Sequence, residues 1–133
     1  MTAVQPPGWP RPKGYSNVVL AEGRQVFIAG MIGWNPLTEQ FETDDFAGQL
    51  RQTLANIVEA LRAAGAGPEH LVRTTWYVTD KQAYLAQLKD VGAAWRAVIG
   101  RYYPAMAVVE VKSLIEDRAK VEIEATAVIP DPR

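Results

Sequence analysis

The stretch "QLRQTLANIVEALRAAGAGPEHLVRTTWYVTD", residues 49–80, holds a helix pattern that is followed at once by a strand pattern. Apolar residues recur at three- and four-residue spacing through its first half, which predicts an amphipathic helix. The apolar face, which begins just upstream, comprises Phe46, Leu50, Leu54, Ile57, Val58 and Leu61. Residues 71–80 are rich in β-branched and aromatic side chains, which favour a strand. The block therefore predicts a helix that packs on a sheet.

The boundaries of this helix and of a second one are marked by residues that commonly begin or end helices. Thr43 or Asp44 suits the N-cap of the first helix, and Gly65 suits the position after its end. Asp80 can cap the second helix, which Gly100 ends. The apolar stripe of the second helix comprises Tyr84, Leu88, Val91, Trp95 and Val98 or Ile99.

Four further segments read as strands. "YSNVVL" (15–20) and "RQVFIAG" (24–30) are joined by the turn "AEGR", which predicts a hairpin. "AMAVVEV" (105–111) and "AKVEIEATAVI" (119–129) are the last two strands. The element order is then β-β-α-β-α-β-β, an α+β fold in which a mixed sheet carries two helices on one face.

Both faces of this sheet contain apolar residues, because "AMAVVEV" is apolar on each side. Two helices cover only one face, so the other face needs a second cover. Another copy of the chain is the simplest cover, and we expect an oligomer. A site at such an interface could draw residues from two subunits.

The composition narrows the possible functions. The 133 residues suit a single domain, 1–133, in which the proline-rich residues 1–14 form an extended arm. A net charge of −1 argues against a nucleic-acid partner, and the absence of cysteine excludes a disulfide framework or a thiol nucleophile. His70, the one histidine, is expected at a junction between a loop and a strand. No signal-peptide or membrane-span pattern is seen, so we expect a cytoplasmic protein without a membrane partner.

Five segments together resemble the RidA-like (YjgF-like) family of reactive-intermediate deaminases. They are "KGYSNVV", "QVFIAGMIGWNPLTEQF", the opening block, "YPAMAVVEV" and "AKVEIEATAV", and they follow one another in the family's order and spacing. The resemblance runs from about Gly14 to Val128. It implies a chorismate-mutase-like fold and a homotrimer with clefts between subunits. It also implies hydrolysis of enamines and imines, without a metal or an organic cofactor.

The resemblance singles out Met106 because the family's deaminases have an arginine at this position. That arginine grips the substrate carboxylate with two parallel charge-assisted hydrogen bonds. A thioether is apolar and only a weak acceptor, so Met106 does not replace the grip. The resemblance therefore implies a cleft whose substrate preference is shifted away from the usual 2-imino acids. Arg24 or Arg101 could reach the cleft instead.

Other site residues are carried over from the same resemblance. Glu122 matches the glutamate that is thought to position the attacking water, which makes it the candidate catalytic residue. Tyr15 matches a tyrosine that lines the cleft, and the alternative for Tyr15 is a strand aromatic packed in the core. The candidate substrate-binding residues are Tyr15, Gly30, Met31, Trp34, Met106 and Glu110, and the alternative for Met31, Trp34 and Met106 is an ordinary core or subunit contact. Glu110 could instead form a structural ion pair.

Two functions of different classes follow. The first is a hydrolase that adds water to a C=N or enamine bond of a small metabolite. The second is a trimer that binds a small ligand in the same clefts without chemistry, and the missing arginine favours it. Ribonuclease activity is described for some members of the family, but it needs a basic groove, which the charge balance does not indicate.

Overall fold

The computed structural model describes residues 1–132, which form two sheets and three α-helices. The strands are β1 (Thr2–Val4), β2 (Val18–Leu20), β3 (Arg24–Ile32), β4 (Leu71–Val78), β5 (Ala105–Glu110) and β6 (Val121–Ile129). The helices are α1 (Phe46–Ala63), α2 (Lys81–Ala86) and α3 (Leu88–Val98), with a 3₁₀ turn at Pro68–His70. Allowing for the added β1 and a divided second helix, this is the predicted order, and the α+β class is confirmed.

The main sheet has four strands in the order β3-β6-β4-β5. β6 pairs antiparallel with β3 and with β4, whereas β4 and β5 are parallel, so the sheet is mixed as predicted. The parallel pair requires a crossover, and α2 and α3 provide it. β3 and β5 are the two edges of the sheet.

One face of the sheet is buried against the helices. Val121, Ile123, Ala125 and Ala127 of β6 are buried in one cluster with Leu50, Leu54, Ile57 and Leu61 of α1. The residues between them, Glu122 and Glu124, point to the opposite face, which we call the open face. The apolar residues that are three and four apart in α1 thus pack in a single core with those that are two apart in β6.

The residues that cap the helices are of the predicted types, but the N-cap of α1 lies later in the chain than predicted. Asp45, rather than Thr43 or Asp44, caps α1, and its carboxylate accepts from the Gly48 N–H at 2.9 Å. Gly65 follows the end of α1 with φ +79°. Asp80 caps α2 as predicted, because its side chain accepts from the Gln82 N–H at 2.9 Å.

Two predictions about the fold are wrong. β2 does not form a hairpin with β3, because it pairs antiparallel with β1 in a separate two-stranded sheet. β3 turns away and begins to pair with the end of β6, where Gly23 lies so close to Ile129 that a Cβ would be 2.0 Å from its carbonyl oxygen. The predicted second helix is divided at Gln87, whose N–H donates to Tyr84 in a tight turn at 3.2 Å.

The open face carries apolar side chains that no other part of residues 1–132 covers. Phe27 of β3 is 74% exposed and Val109 of β5 is 43% exposed. Phe27 pairs with Thr126 and Val109 pairs with Tyr77, so both belong to the open face.

None of the helices in residues 1–132 combines the length and the hydropathy that crossing a membrane requires.

Candidate functional site

A cavity of about 530 Å³ lies between the helices and the edge strand β5. Its volume falls in the range typical of small-molecule sites. The lining residues come from the arm, β4, α2, α3, the loop before β5, and β5, and they are Lys13, Gly14, Tyr15, Trp76, Tyr84, Leu88, Val91, Gly92, Trp95, Arg96, Tyr103, Met106 and Val108. We call it the helix-side cavity. Of the residues predicted for the site, it brings together Tyr15 and Met106.

Tyr15 reaches the cavity because the next residue fastens the arm to the free edge of β5. The Ser16 N–H donates to the Pro104 carbonyl at 3.0 Å, and the Ser16 hydroxyl donates to the Tyr103 carbonyl. Ser16 also forms an isolated parallel bridge with Ala105. Tyr15 is thereby held one residue before this junction, with 39% of its surface exposed.

Met106 faces the helices rather than the open face. It pairs with the buried Thr74 of β4, and two residues on Val108 pairs with the buried Trp76. Val108 therefore shares its face with Met106, as the two-residue period predicts. Met106 is half-buried and packs against the core.

Glu110 lies at the far end of the same strand and has another role. Its carboxylate accepts from the Lys81 N–H at 2.7 Å, which satisfies a backbone donor at the start of α2. It is not among the residues that line the helix-side cavity. Within the chain, a helix-capping bond takes the place of the ion pair considered as its alternative, and a role of Glu110 in substrate binding stays a prediction.

Five of the thirteen residues that line the cavity are aromatic. The ring centroids of Trp76 and Trp95 are 6.1 Å apart, and Tyr84 meets Trp76 edge to face at 6.3 Å. Trp95 is held by a hydrogen bond from its indole N–H to the Tyr102 carbonyl at 3.0 Å. Burial raises the pKa of Tyr84 above its usual value of 10.0. The wall suits a flat apolar group.

Glu122 and Gly30 meet on the other side of the sheet. A Cβ built on Gly30 would lie 2.6 Å from Oε2 of Glu122, so the carboxylate occupies the space that a side chain would take. The ladder between β3 and β6 is irregular between Ile28 and Met31, and this bulge turns Gly30 toward Glu122. The resemblance placed both residues in the site, and the structure brings them into contact.

Glu124, the second acidic residue of β6, is engaged by a tyrosine. The Tyr77 hydroxyl donates to Oε1 of Glu124 at 2.8 Å. The pKa of Tyr77 is raised, first by this hydrogen bond and then by burial and the negative charges of Glu124 and Glu122. Glu124 is thus a structural partner, which leaves Glu122 as the carboxylate that lies against bare backbone.

Trp34 and Met31 follow Gly30 and remain on the β3 side of the molecule. Trp34 packs on Phe41 with ring centroids 5.8 Å apart, and its carbonyl accepts from the Asn56 amide at 2.9 Å. Met31 packs against the core. Neither lines the helix-side cavity with Met106. One apolar wall made of Met31, Trp34 and Met106, which the sequence suggested, is therefore not formed within one chain.

The predicted site residues thus form two groups that a single chain keeps apart. Met106 and Tyr15 belong to the helix-side cavity at the β5 edge, whereas Gly30 and Glu122 lie at the β3 and β6 strands on the open face. β3 and β5 are three strand spacings apart, or about 14 Å. Each group is incomplete as a site of the predicted kind.

Several cavity residues were missed at the level of sequence. Tyr84 and Trp95 belong to the predicted apolar stripe of the second helix, and Trp76 belongs to a predicted strand, so the pattern gives each of them a structural place and no role in the site. No pattern in the sequence indicated that Arg96, which follows Trp95, lines a site. The arginines considered as substitutes, Arg24 and Arg101, do not line the cavity.

The chain is similar to known proteins over nearly its whole length. The profile of the family described as "Endoribonuclease L-PSP" matches residues 10–129. A RutC family protein of Pyrococcus horikoshii is 35% identical, over 89% of this chain and 90% of that protein. The 2-iminobutanoate/2-iminopropanoate deaminase of Escherichia coli K12 is 36% identical, over 80% of each chain.

A solved structure agrees with these sequence matches. The protein of the conserved Rid family from Yersinia pestis named YyfB, described as of unknown function, superposes with a TM-score of 0.84. It is 32% identical and the match covers 96% of this chain and 98% of that one. Sequence and fold therefore point to the same relatives, some of which are named as deaminases while others have no assigned function.

Proposed function

Because this chain belongs to the endoribonuclease L-PSP (RidA-like) family, we propose that it is an imine or enamine deaminase that hydrolyses a C=N bond of a small metabolite. The observation that carries the proposal is the contact between Glu122 and Gly30. It holds one carboxylate of the strand against bare backbone, where a small substrate and a water molecule can approach. Relatives named 2-iminobutanoate/2-iminopropanoate deaminase, at 31% and 36% identity, support the reaction class.

The chemistry asks little of the protein beyond a positioned base. Glu122 accepts a proton from water as the water oxygen attacks the imine carbon, which gives a tetrahedral carbinolamine. That proton is delivered to the imine nitrogen, and the hydroxyl proton of the carbinolamine then passes to the same nitrogen by way of Glu122. The C–N bond breaks as the C=O bond forms, so ammonia departs and a carbonyl product remains. The Gly30 backbone allows the substrate to approach Glu122 closely.

A homotrimer completes the site in this proposal. The two incomplete groups become one cleft if the open face of one subunit is set against the helix-side cavity of the next. Glu122 and Gly30 then come from one subunit, and Tyr15 and Met106 from its neighbour. The exposed Phe27 and Val109 support this arrangement, because a second copy that covers the open face also buries them.

The substrate preference follows from Met106. The half-buried thioether offers no charged fork to a carboxylate, and it extends an aromatic and aliphatic wall. Substrates with larger apolar groups than 2-iminobutanoate are therefore preferred.

Ammonia release from a panel of imines tests the proposal. The panel contains 2-iminopropanoate, 2-iminobutanoate and imines with aromatic side chains, and the proteins are the wild type, Glu122→Gln and Met106→Arg. We expect wild-type turnover that Glu122→Gln abolishes, with the small imines improved by Met106→Arg. Absence of turnover on every imine by an intact oligomer contradicts the proposal.

A trimer that binds a small ligand without chemistry is the second candidate. Met106 favours it, because the carboxylate grip of the deaminases is absent from that position. Thermal stabilisation by a ligand that is recovered unchanged distinguishes it from the enzyme. Ribonuclease activity is the weaker reading of the family description, since 14 basic residues against 15 acidic ones give no basic excess for RNA.

A further inference from the structure

The helix-side cavity carries positive charge that the family resemblance does not explain. Lys13 and Arg96 both line it, and no aspartate or glutamate is among the lining residues. Neither forms an ion pair within residues 1–132. Within the described residues the cavity therefore presents two cations without an ion-pair partner, and a ligand with an anionic group would be attracted to it.

Arg96 is aimed by the residue one helical turn before it. A Cβ built on Gly92 would lie 3.1 Å from Nη1 of Arg96 and 3.8 Å from Cζ. The guanidinium therefore lies back over the bare backbone of Gly92, which is the direction that helical side chains normally take. Gly92 and Arg96 both line the cavity, so the guanidinium of this exposed arginine lies along its wall.

Gly92 is an unfavourable residue for its place in the chain. It lies inside α3, where glycine is among the poorest helix formers. Neither a turn nor a positive φ requires glycine there. What its missing side chain provides is close approach of the guanidinium of Arg96, which a Cβ would push away by a few tenths of an ångström.

We propose that Arg96, assisted by Lys13, binds the carboxylate of the substrate in place of the arginine that the family has at position 106. The substrate class is then a 2-imino acid, or a related acid, with an aromatic or other bulky apolar side chain. A carboxylate held from α3 leaves the opposite wall, with Met106 and Trp76, free to pack against that side chain.

This inference rests on the proposed use of the helix-side cavity as the substrate half of the site. Binding of the acid does not depend on turnover. The carboxylate of the bound acid should interact with Arg96, and its apolar group should be tolerated because position 106 is methionine. An acid and its neutral amide therefore separate the two contributions.

The experiment compares 3-phenylpropanoate with 3-phenylpropanamide by isothermal titration calorimetry. The proteins are the wild type, Arg96→Met, Arg96→Lys and Gly92→Ala. Arg51→Met is the matched control, because Arg51 is an exposed arginine of α1 that does not line the cavity. Circular dichroism and sedimentation confirm that each variant keeps its fold and assembly.

We expect the wild type to bind the acid about tenfold more tightly than the amide, as one charge-assisted contact at an exposed arginine allows. Arg96→Met removes this preference and leaves amide binding unchanged, whereas Arg96→Lys keeps part of it and Arg51→Met keeps all of it. Gly92→Ala raises the melting temperature and yet weakens acid binding, by less than Arg96→Met does, because a Cβ displaces the fork.

An acid preference that survives in Arg96→Met overturns the inference, and so does a wild type that binds neither probe. These results are separable from the test of the deaminase. If the imines are not hydrolysed but Arg96 controls acid binding, the reaction fails and the binding site stands. If imines are hydrolysed and Arg96→Met leaves the KM ratio of acidic and neutral substrates unchanged, only this inference fails.

Discussion

Replacing Gly30 by alanine should damage catalysis much more than it damages the fold. The new Cβ would start 2.6 Å from Oε2 of Glu122 and 2.9 Å from its Cδ. Ordinary contact begins near 3.4 Å, so the carboxylate must withdraw by about 0.8 Å. The group that moves is the end of a flexible side chain, and Gly30 has no positive φ that alanine would find strained.

The expected magnitudes follow from that displacement. Misplacing a reacting group by about 1 Å can lower a rate by about 100-fold, so we expect kcat to fall by about 10- to 100-fold. This corresponds to about 1.4–2.8 kcal/mol of transition-state stabilisation. The free energy of unfolding should change by less than about 1 kcal/mol, because alanine also restricts the unfolded chain.

The assay is ammonia release from the best imine substrate of the wild type, with unfolding in urea measured in parallel. Gly67→Ala is a matched control, because a Cβ there would meet Oε1 of Glu69 at the same 2.6 Å, away from the site residues. Gly30→Ala with wild-type kcat refutes the reasoning. A fall in kcat for Gly67→Ala as large as that for Gly30→Ala also refutes it.

A second substitution tests whether the loss runs through Glu122. Glu122→Asp shortens the carboxylate by one methylene and should itself lower kcat. In the presence of Gly30→Ala the same change should cost less, because the shorter side chain no longer collides with the new Cβ. Strictly additive losses in this double-mutant cycle would mean that Gly30 and Glu122 act independently.

Three further predictions concern the frame around the site. Tyr77→Phe should weaken the pH dependence of the free energy of unfolding above about pH 10. The pKa of Tyr77 is raised in the folded protein, so its contribution to stability is present below its usual pKa of 10.0 and is lost as the pH rises through its pKa in the folded state. Urea unfolding from pH 9 to 11 measures this change. Phe27→Asp should split the proposed trimer in sedimentation, whereas Leu37→Asp, at a position 91% exposed in a loop, should not. Gln49→Ala should lower the free energy of unfolding by about 3–5 kcal/mol, because the wholly buried amide donates to the Thr43 and Arg118 carbonyls and accepts from the Lys120 N–H; a urea titration at fixed protein concentration checks it.

The sequence correctly predicted those features that depend on residues within a single helix or strand. The period of α1, the glycine after it and the Asp80 cap each depend on neighbouring residues, and all were predicted. The partner of β2 was not, because pairing with β1 or with β3 is a choice between distant segments. The proline-rich arm also concealed the short strand Thr2–Val4.

The site was harder to predict because its parts come from different faces. The two-residue period of a strand predicts that Met106 and Val108 lie on the same face of the sheet. It does not predict that Glu122 lies on the opposite face. That relation depends on the register of β4 with both β5 and β6, in which Thr74 pairs with Met106 while Tyr77 pairs with Glu122. The resemblance supplied the site residues as one set, and the register divides them.

Two glycines carry the strongest evidence about the site, and both look unremarkable in the sequence. Gly30 interrupts a strand and Gly92 interrupts a helix, and glycine weakens either element. In each case a charged group from the same element or its neighbour lies over the glycine: the Glu122 carboxylate over Gly30 and the Arg96 guanidinium over Gly92. Residues that disfavour the helix or strand in which they lie tend to be at functional sites. The two charges have opposite signs, lie in the two separate groups, and become the acidic and basic sides of one cleft if neighbouring subunits bring those groups together.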